Sequence, residues 1–115
     1  MMLEPVGDPV GIYLLQTING ESLPFVLAQV EEDMIEVLSG TVTLRDDQTF
    51  TDATTYRITE AGEVDTEEDV FSGTWVRTGN TIRFFVSTGE TQTMTFDGES
   101  RLTQAVEGFT LVYAK

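Results

Sequence analysis

Glycine spacing constrains this chain more than any other feature. Gly11, Gly20, Gly40, Gly62, Gly73, Gly79, Gly89, Gly98 and Gly108 punctuate it, and in the second half several fall about ten residues apart, in Gly79-Asn80, Gly89-Glu90, Asp97-Gly98 and Glu107-Gly108 pairs. Such pairs accept positive φ and close tight hairpins. Between them lie short runs rich in Thr, Val, Ile, Phe and Tyr, the residues that fit a half-buried pleated surface. The eighteen threonines point the same way. No window sustains a 3.6-residue period; "LPFVLAQVEEDMIEVL" (Leu23 to Leu38) has helix formers, but also Pro24 and β-branched residues, and leaves room for one short helix.

The expected strands are 11–18, 24–30, 35–45, 49–59, 69–77, 81–87, 91–96, 101–106 and 109–114. Asn19-Gly20 closes the first hairpin. "RDDQTF" (Arg45 to Phe50) is a turn in which aspartate bonds the following backbone, and "ITEAGEVDTEED" (Ile58 to Asp69) is expected as a long polar loop or flexible hairpin tip. Eight or nine consecutive antiparallel strands with short turns close into an up-and-down barrel or fold as a sandwich; the absence of long crossovers favours the barrel. At 115 residues the chain is one domain, with residues 1–10 as an extended N-terminal arm.

Alternation assigns faces. Phe50, Asp52, Thr54, Tyr56 and Ile58 share one face, and its apolar members turn it inward. Ile82, Phe84 and Val86 face inward, leaving Phe85 outside; Met94 and Phe96 alternate with threonines. A two-residue Gly79-Asn80 turn pairs Trp75 with Phe84 and Arg77 with Ile82, so Phe71, Trp75 and Arg77 point inward and Val76 outward. Trp75 is then a structural plug, and Arg77 sits at the barrel rim, where its guanidinium reaches solvent or a carboxylate.

Twenty acidic residues against five arginines and Lys115 give a formal charge of −14. That surface repels phosphate backbones and anionic headgroups, so neither nucleic acid nor membrane insertion is expected. The acidity fits a high-salt habitat and fits an ordinary acidic surface equally. Cysteine and histidine are absent, which removes disulfides, thiolate nucleophiles, the commonest general base and the commonest metal ligand. No run has the length of a transmembrane helix, and "MMLEPVGDPV" lacks a basic n-region and an apolar h-region, so the protein is cytoplasmic or its leader has been removed.

"GIYLLQTINGESLPF" (Gly11 to Phe25), "SGTVTLRDDQTF" (Ser39 to Phe50), "SGTWVRTGNTIRF" (Ser72 to Phe84) and "TLVYAK" (Thr110 to Lys115) together resemble small bacterial lipocalin-like, calycin-type proteins, often exported or lipid-anchored. The resemblance runs through nearly the whole chain and implies an eight-stranded (or nine-segment) lipocalin-like barrel in an extracytoplasmic setting. It implies that Tyr13, in "GIY", plugs the closed end beneath an arginine such as Arg101. Two positions depart from that pattern: the turn usually has glycine where Gln48 stands, and an apolar residue is usual at Arg77.

Catalytic machinery is not evident. Asp52 is the one carboxylate placed among apolar side chains, where desolvation raises its pKa, unless it lies near a strand end and faces water. "FSGT" (Phe71 to Thr74) lacks a nucleophile elbow, and the hairpin glycines make no phosphate cradle. "EEDMIE" (Glu31 to Glu36) and "DTEED" (Asp65 to Asp69) lack EF-hand spacing. The expectation is a non-enzymatic binding protein without metal or cofactor. A small apolar ligand would lie against Phe50, Asp52, Tyr56, Trp75, Arg77, Phe84, Met94 and Phe96, with Thr54, Gly73 and Ala105 as the small inward residues. The alternative is a solid-core scaffold, a monomer or homodimer acting through Phe85, Val76 or the N-terminal arm.

Overall fold

The computed structural model describes residues 7–115, all strand and turn with no helix. Its strands are β1 (Gly11–Ile18), β2 (Glu21–Ser22), β3 (Phe25–Val30), β4 (Asp33–Leu44), β5 (Thr49–Glu60), β6 (Glu63–Thr78), β7 (Thr81–Val86), β8 (Thr91–Phe96), β9 (Arg101–Val106) and β10 (Phe109–Ala114). Every pairing is antiparallel, and neighbours run β2-β1-β10-β9-β8-β7-β6-β5-β4-β3. An added β1–β4 ladder, from Gly11↔Leu44 to Leu14↔Thr41, closes eight of the strands into an up-and-down barrel of lipocalin-like architecture. Leu23 to Leu38, where a short helix had room, is strand and turn instead.

The two remaining strands shape one end of that barrel. Where β1 and β4 diverge, Thr17↔Ser22 and Ile18↔Glu21 attach β2 to β1, while Phe25↔Val37 through Val30↔Asp33 attach β3 to β4. The β2–β3 segment thus lies as a wedge between two barrel strands at one end only, and the wall is wider there. Bulges at Val26/Ala28 on β3 and at Val37/Ser39 on β4 accommodate the change of curvature.

Of the two expectations for Ile58 to Asp69, the hairpin tip holds and the loop does not: β5 and β6 are paired from Thr49↔Thr74 through Glu60↔Glu63 around an Ala61-Gly62 turn, so the strands run further than expected. Both turn residues have positive φ, as a two-residue primed turn requires. The β6–β7 ladder stops at Gly73↔Val86, so beyond it β6 has β5 on one side only and the hairpin projects past the barrel. That projection makes the molecule 61 Å long against 28 × 21 Å across. The edge of β6 carries Asp65, Glu67, Glu68 and Asp69, whose mutual repulsion opposes pairing with another chain. Phe71, expected inward, is 40% exposed for the same reason: no strand flanks β6 there.

The opposite end is plugged. Tyr13 is fully buried, donates from its hydroxyl to the Pro9 carbonyl at 2.6 Å, and meets Phe96 edge-on. The cation over it is Lys115, with Nζ 5.3 Å from the Tyr13 ring and bonded to the Asp8 and Val10 carbonyls, rather than Arg101, which is exposed. Gly11 makes this possible, because a Cβ there would lie 2.9 Å from Lys115 Cδ. Arg77 does sit at the rim, 5.2 Å over Phe96, and donates to the carbonyls of Gly7 and Gly79. Within the expected N-terminal arm, Gly7–Val10 is therefore strapped across the barrel base; residues 1–6 lie outside the described part.

Candidate functional site

The barrel interior divides into a packed half and a hollow half. In the packed half Phe50 and Phe84 meet edge-on at 4.9 Å, with Trp75, Ile82, Met94, Phe96 and Leu102 buried around them. Trp75 pairs with Phe84, as the Gly79-Asn80 register requires. Its indole Nε1 donates to the Arg45 and Thr49 carbonyls, and its backbone N–H donates to the Gln48 carbonyl. Trp75 thereby holds the 45–49 turn, in which Asp47 accepts from the Thr49 backbone N–H. Gln48 adopts φ of +68°, a left-handed conformation that glycine takes without steric cost.

The hollow half lies at the wedge end. A cavity of about 370 Å³ is lined by Ile18, Leu27, Val37, Thr54, Tyr56, Val106, Glu107, Phe109 and Leu111. The β9–β10 hairpin covers it on one side, with Phe109 edge-on to Phe25 at 6.0 Å; the wedge and β5 form the other side. Its volume falls in the range of ligand pockets and its lining is mostly apolar. A second hollow, of about 210 Å³, lies at the free end of β3–β5, among Val30, Met34, Ile35 and Ile58.

Of the residues expected against a ligand, Tyr56 lines the cavity. Asp52 stands two positions deeper on the same face of β5, below Thr54. Phe50, Trp75, Phe84, Met94 and Phe96 form the packed half, and Arg77 the closed rim. Gly40, opposite Thr54, is the small residue that matters: a Cβ there would meet Leu15 at 3.1 Å and the Tyr113 ring at 3.6 Å. Its bare backbone makes room for Leu15, while the Tyr113 ring stands at ordinary contact distance. Ala105 is exposed, and its neighbour Gln104 is the buried one, bonded to Gln92 at 3.2 Å.

Asp52 is part-buried beside fully buried Val42, its β4 partner. Among the described residues its carboxylate has no hydrogen bond or ion pair, and burial alone pushes its pKa up to about 6 from an ordinary 3.8. The neighbouring phenols respond: Tyr113 and Tyr56 are both raised, by burial first and then by nearby charges that include Asp52, with Asp69 also acting on Tyr56. Native Asp52 thus binds its proton more tightly than the unfolded chain does, so ionisation between pH 4 and pH 6 destabilises the fold. Asp52→Asn is expected to stabilise the protein by about 1–3 kcal/mol at pH 7.5, the upper figure being two pKa units. The gain should vanish near pH 4. Urea unfolding of both proteins at the two pH values tests this; an equal effect at both would mean that Asp52 is solvated.

Sequence reasoning missed Leu27, Val37, Phe109 and Leu111. Phe109 and Leu111 alternate with Tyr113 in "FTLVYA" and were legible there. Leu27 and Val37 sit at bulges, where alternation fails. Glu36, part of the acidic "EEDMIE", is buried against Arg57 in a two-pronged pair at 2.8 and 3.0 Å, which holds its pKa low. Among the described residues no group of three or more carboxylates could hold a metal ion, and no helix is long and apolar enough to cross a membrane.

An eight-stranded lipocalin-like barrel with one plugged and one open end is the class that this geometry defines. No family model matches the chain, and no curated protein or solved structure is significantly similar to it.

Proposed function

We propose that the protein is a non-enzymatic small barrel that binds one small, largely apolar molecule at the wedge end. The observation behind this reading is the apolar cavity of about 370 Å³ between the β9–β10 hairpin and the wedge. An extracytoplasmic setting belongs to the same proposal and rests on the resemblance to bacterial lipocalin-like proteins.

Native mass spectrometry of gently purified protein, before and after organic extraction, tests the reading. A discrete added mass that disappears on extraction is expected, as is displacement of a neutral environment-sensitive dye by short alkanols. Trp75 is a poor reporter, because it lies in the packed half. A bare mass with no displacement would favour a scaffold that acts through its outside. Val76 and Phe85, 39% and 41% exposed on adjacent strands, are the observation favouring that second reading. The same spectrum shows whether the chain is a monomer or a homodimer.

A further inference from the structure

We propose that the cavity selects an apolar organic cation, a small amine whose hydrocarbon part lies among Ile18, Leu27, Val37, Phe109 and Leu111 and whose ammonium group meets Asp52. The inference rests on the cavity being the ligand site and adds the chemistry that would choose the ligand. Asp52, Thr54 and Tyr56 share one face of β5; the latter two line the cavity, and Asp52 follows next along that face, outside the lining and close enough to Tyr113 for its charge to act on that phenol. Gly40 and Val42 on β4 place no polar group against it, and Tyr113 from β10 is the neighbour across the barrel.

The protein's own cations are engaged or placed elsewhere. Arg57 pairs with Glu36, Arg45 bonds Thr51, and Arg77 and Lys115 cap the closed end; Arg83 and Arg101 are exposed. The charges around the cavity are negative: Glu107 in its wall, and Asp69 opposite Thr54 on β6. A fatty acid would bring a second anion into that field. A neutral ligand would desolvate Asp52 further without compensation, whereas an ammonium group would supply the missing partner.

The test compares n-octylamine with 1-octanol, matched in length, by calorimetric titration at pH 7.5 into the parent protein, Asp52→Asn and a control, Asp46→Asn, in the turn at the closed end. Octylamine is expected to bind the parent at least tenfold more tightly than octanol. Asp52→Asn should abolish that preference while retaining or improving octanol binding, and Asp46→Asn should leave it intact. Equal binding of the two probes by the parent, or a preference that survives Asp52→Asn, would overturn the inference and leave an apolar site standing. Failure of both probes to bind would overturn the ligand-site reading as well.

Discussion

Trp75→Ala is expected to lower the melting temperature by on the order of 15 °C, corresponding to the loss of about 3–5 kcal/mol usual for removing a buried tryptophan. The side chain is 6% exposed, packs in the aromatic half of the barrel, and bonds the turn at Arg45 and Thr49 through its indole. Removing it opens a hole beside Phe84 and frees two carbonyls at once. Trp75→Phe separates these effects: it keeps most of the packing and loses only the donor, so a loss of about 1–2 kcal/mol is expected. Circular dichroism is the suitable readout, since both variants remove the only indole fluorophore. A loss under about 1 kcal/mol for Trp75→Ala would contradict the packed-core role.

Gly73→Ala is expected to be nearly as damaging, at about 3 kcal/mol, although it adds a single methyl group. A Cβ at Gly73 would run into the Phe85 carbonyl oxygen and lie 3.1 Å from the Phe50 ring. The Phe85 carbonyl is backbone within the β6–β7 ladder, so relief requires a shift of the strand itself. Gly40→Ala provides the contrast. Its new Cβ would lie 3.1 Å from Leu15 Cβ and Cδ2, contacts that a shift of a few tenths of an ångström relieves, and a smaller loss is expected. Urea midpoints for the two variants decide the matter; a larger loss at Gly40 would reverse the assignment of the rigid neighbour.

Much of the barrel was legible because strand signals are local. The Gly79-Asn80 turn set a register that placed Trp75 on Phe84 and turned Val76 and Phe85 outward, and the structure has all of these. The plug of the closed end, Tyr13, came from the resemblance rather than from strand signals, and its cation from neither. Lys115 reaches that ring only because the chain's last residue folds under the barrel beside a glycine, a contact between residues more than a hundred positions apart. The Ile58 to Asp69 segment left loop and hairpin tip both open because its polarity resembles a loop. Its Thr, Val and Ile content nevertheless suffices for a two-stranded hairpin that is rooted in the barrel, where β5 and β6 are already paired.

The candidate site divides in the same way. Asp52 and Tyr56 were visible as a polar pair on an apolar face, since period-two alternation needs no knowledge of the rest of the chain. The large aromatic residues expected beside them fill the other half of the barrel, and the hollow belongs to the wedge end. Alternation within a strand specifies which side chains share a face, so the sequence by itself determined antiparallel strands with Trp75 on an inward face, favoured their closure into a barrel, and put Asp52 on the apolar side of its strand. It carries no information on where opposing walls meet. Only the tertiary structure decided where the interior stays open, because that depends on the β2–β3 wedge and on two bulges that break the alternation. These features act between strands remote in sequence, and they leave Thr54 and Tyr56 facing a hollow, with Asp52 next along the same strand face.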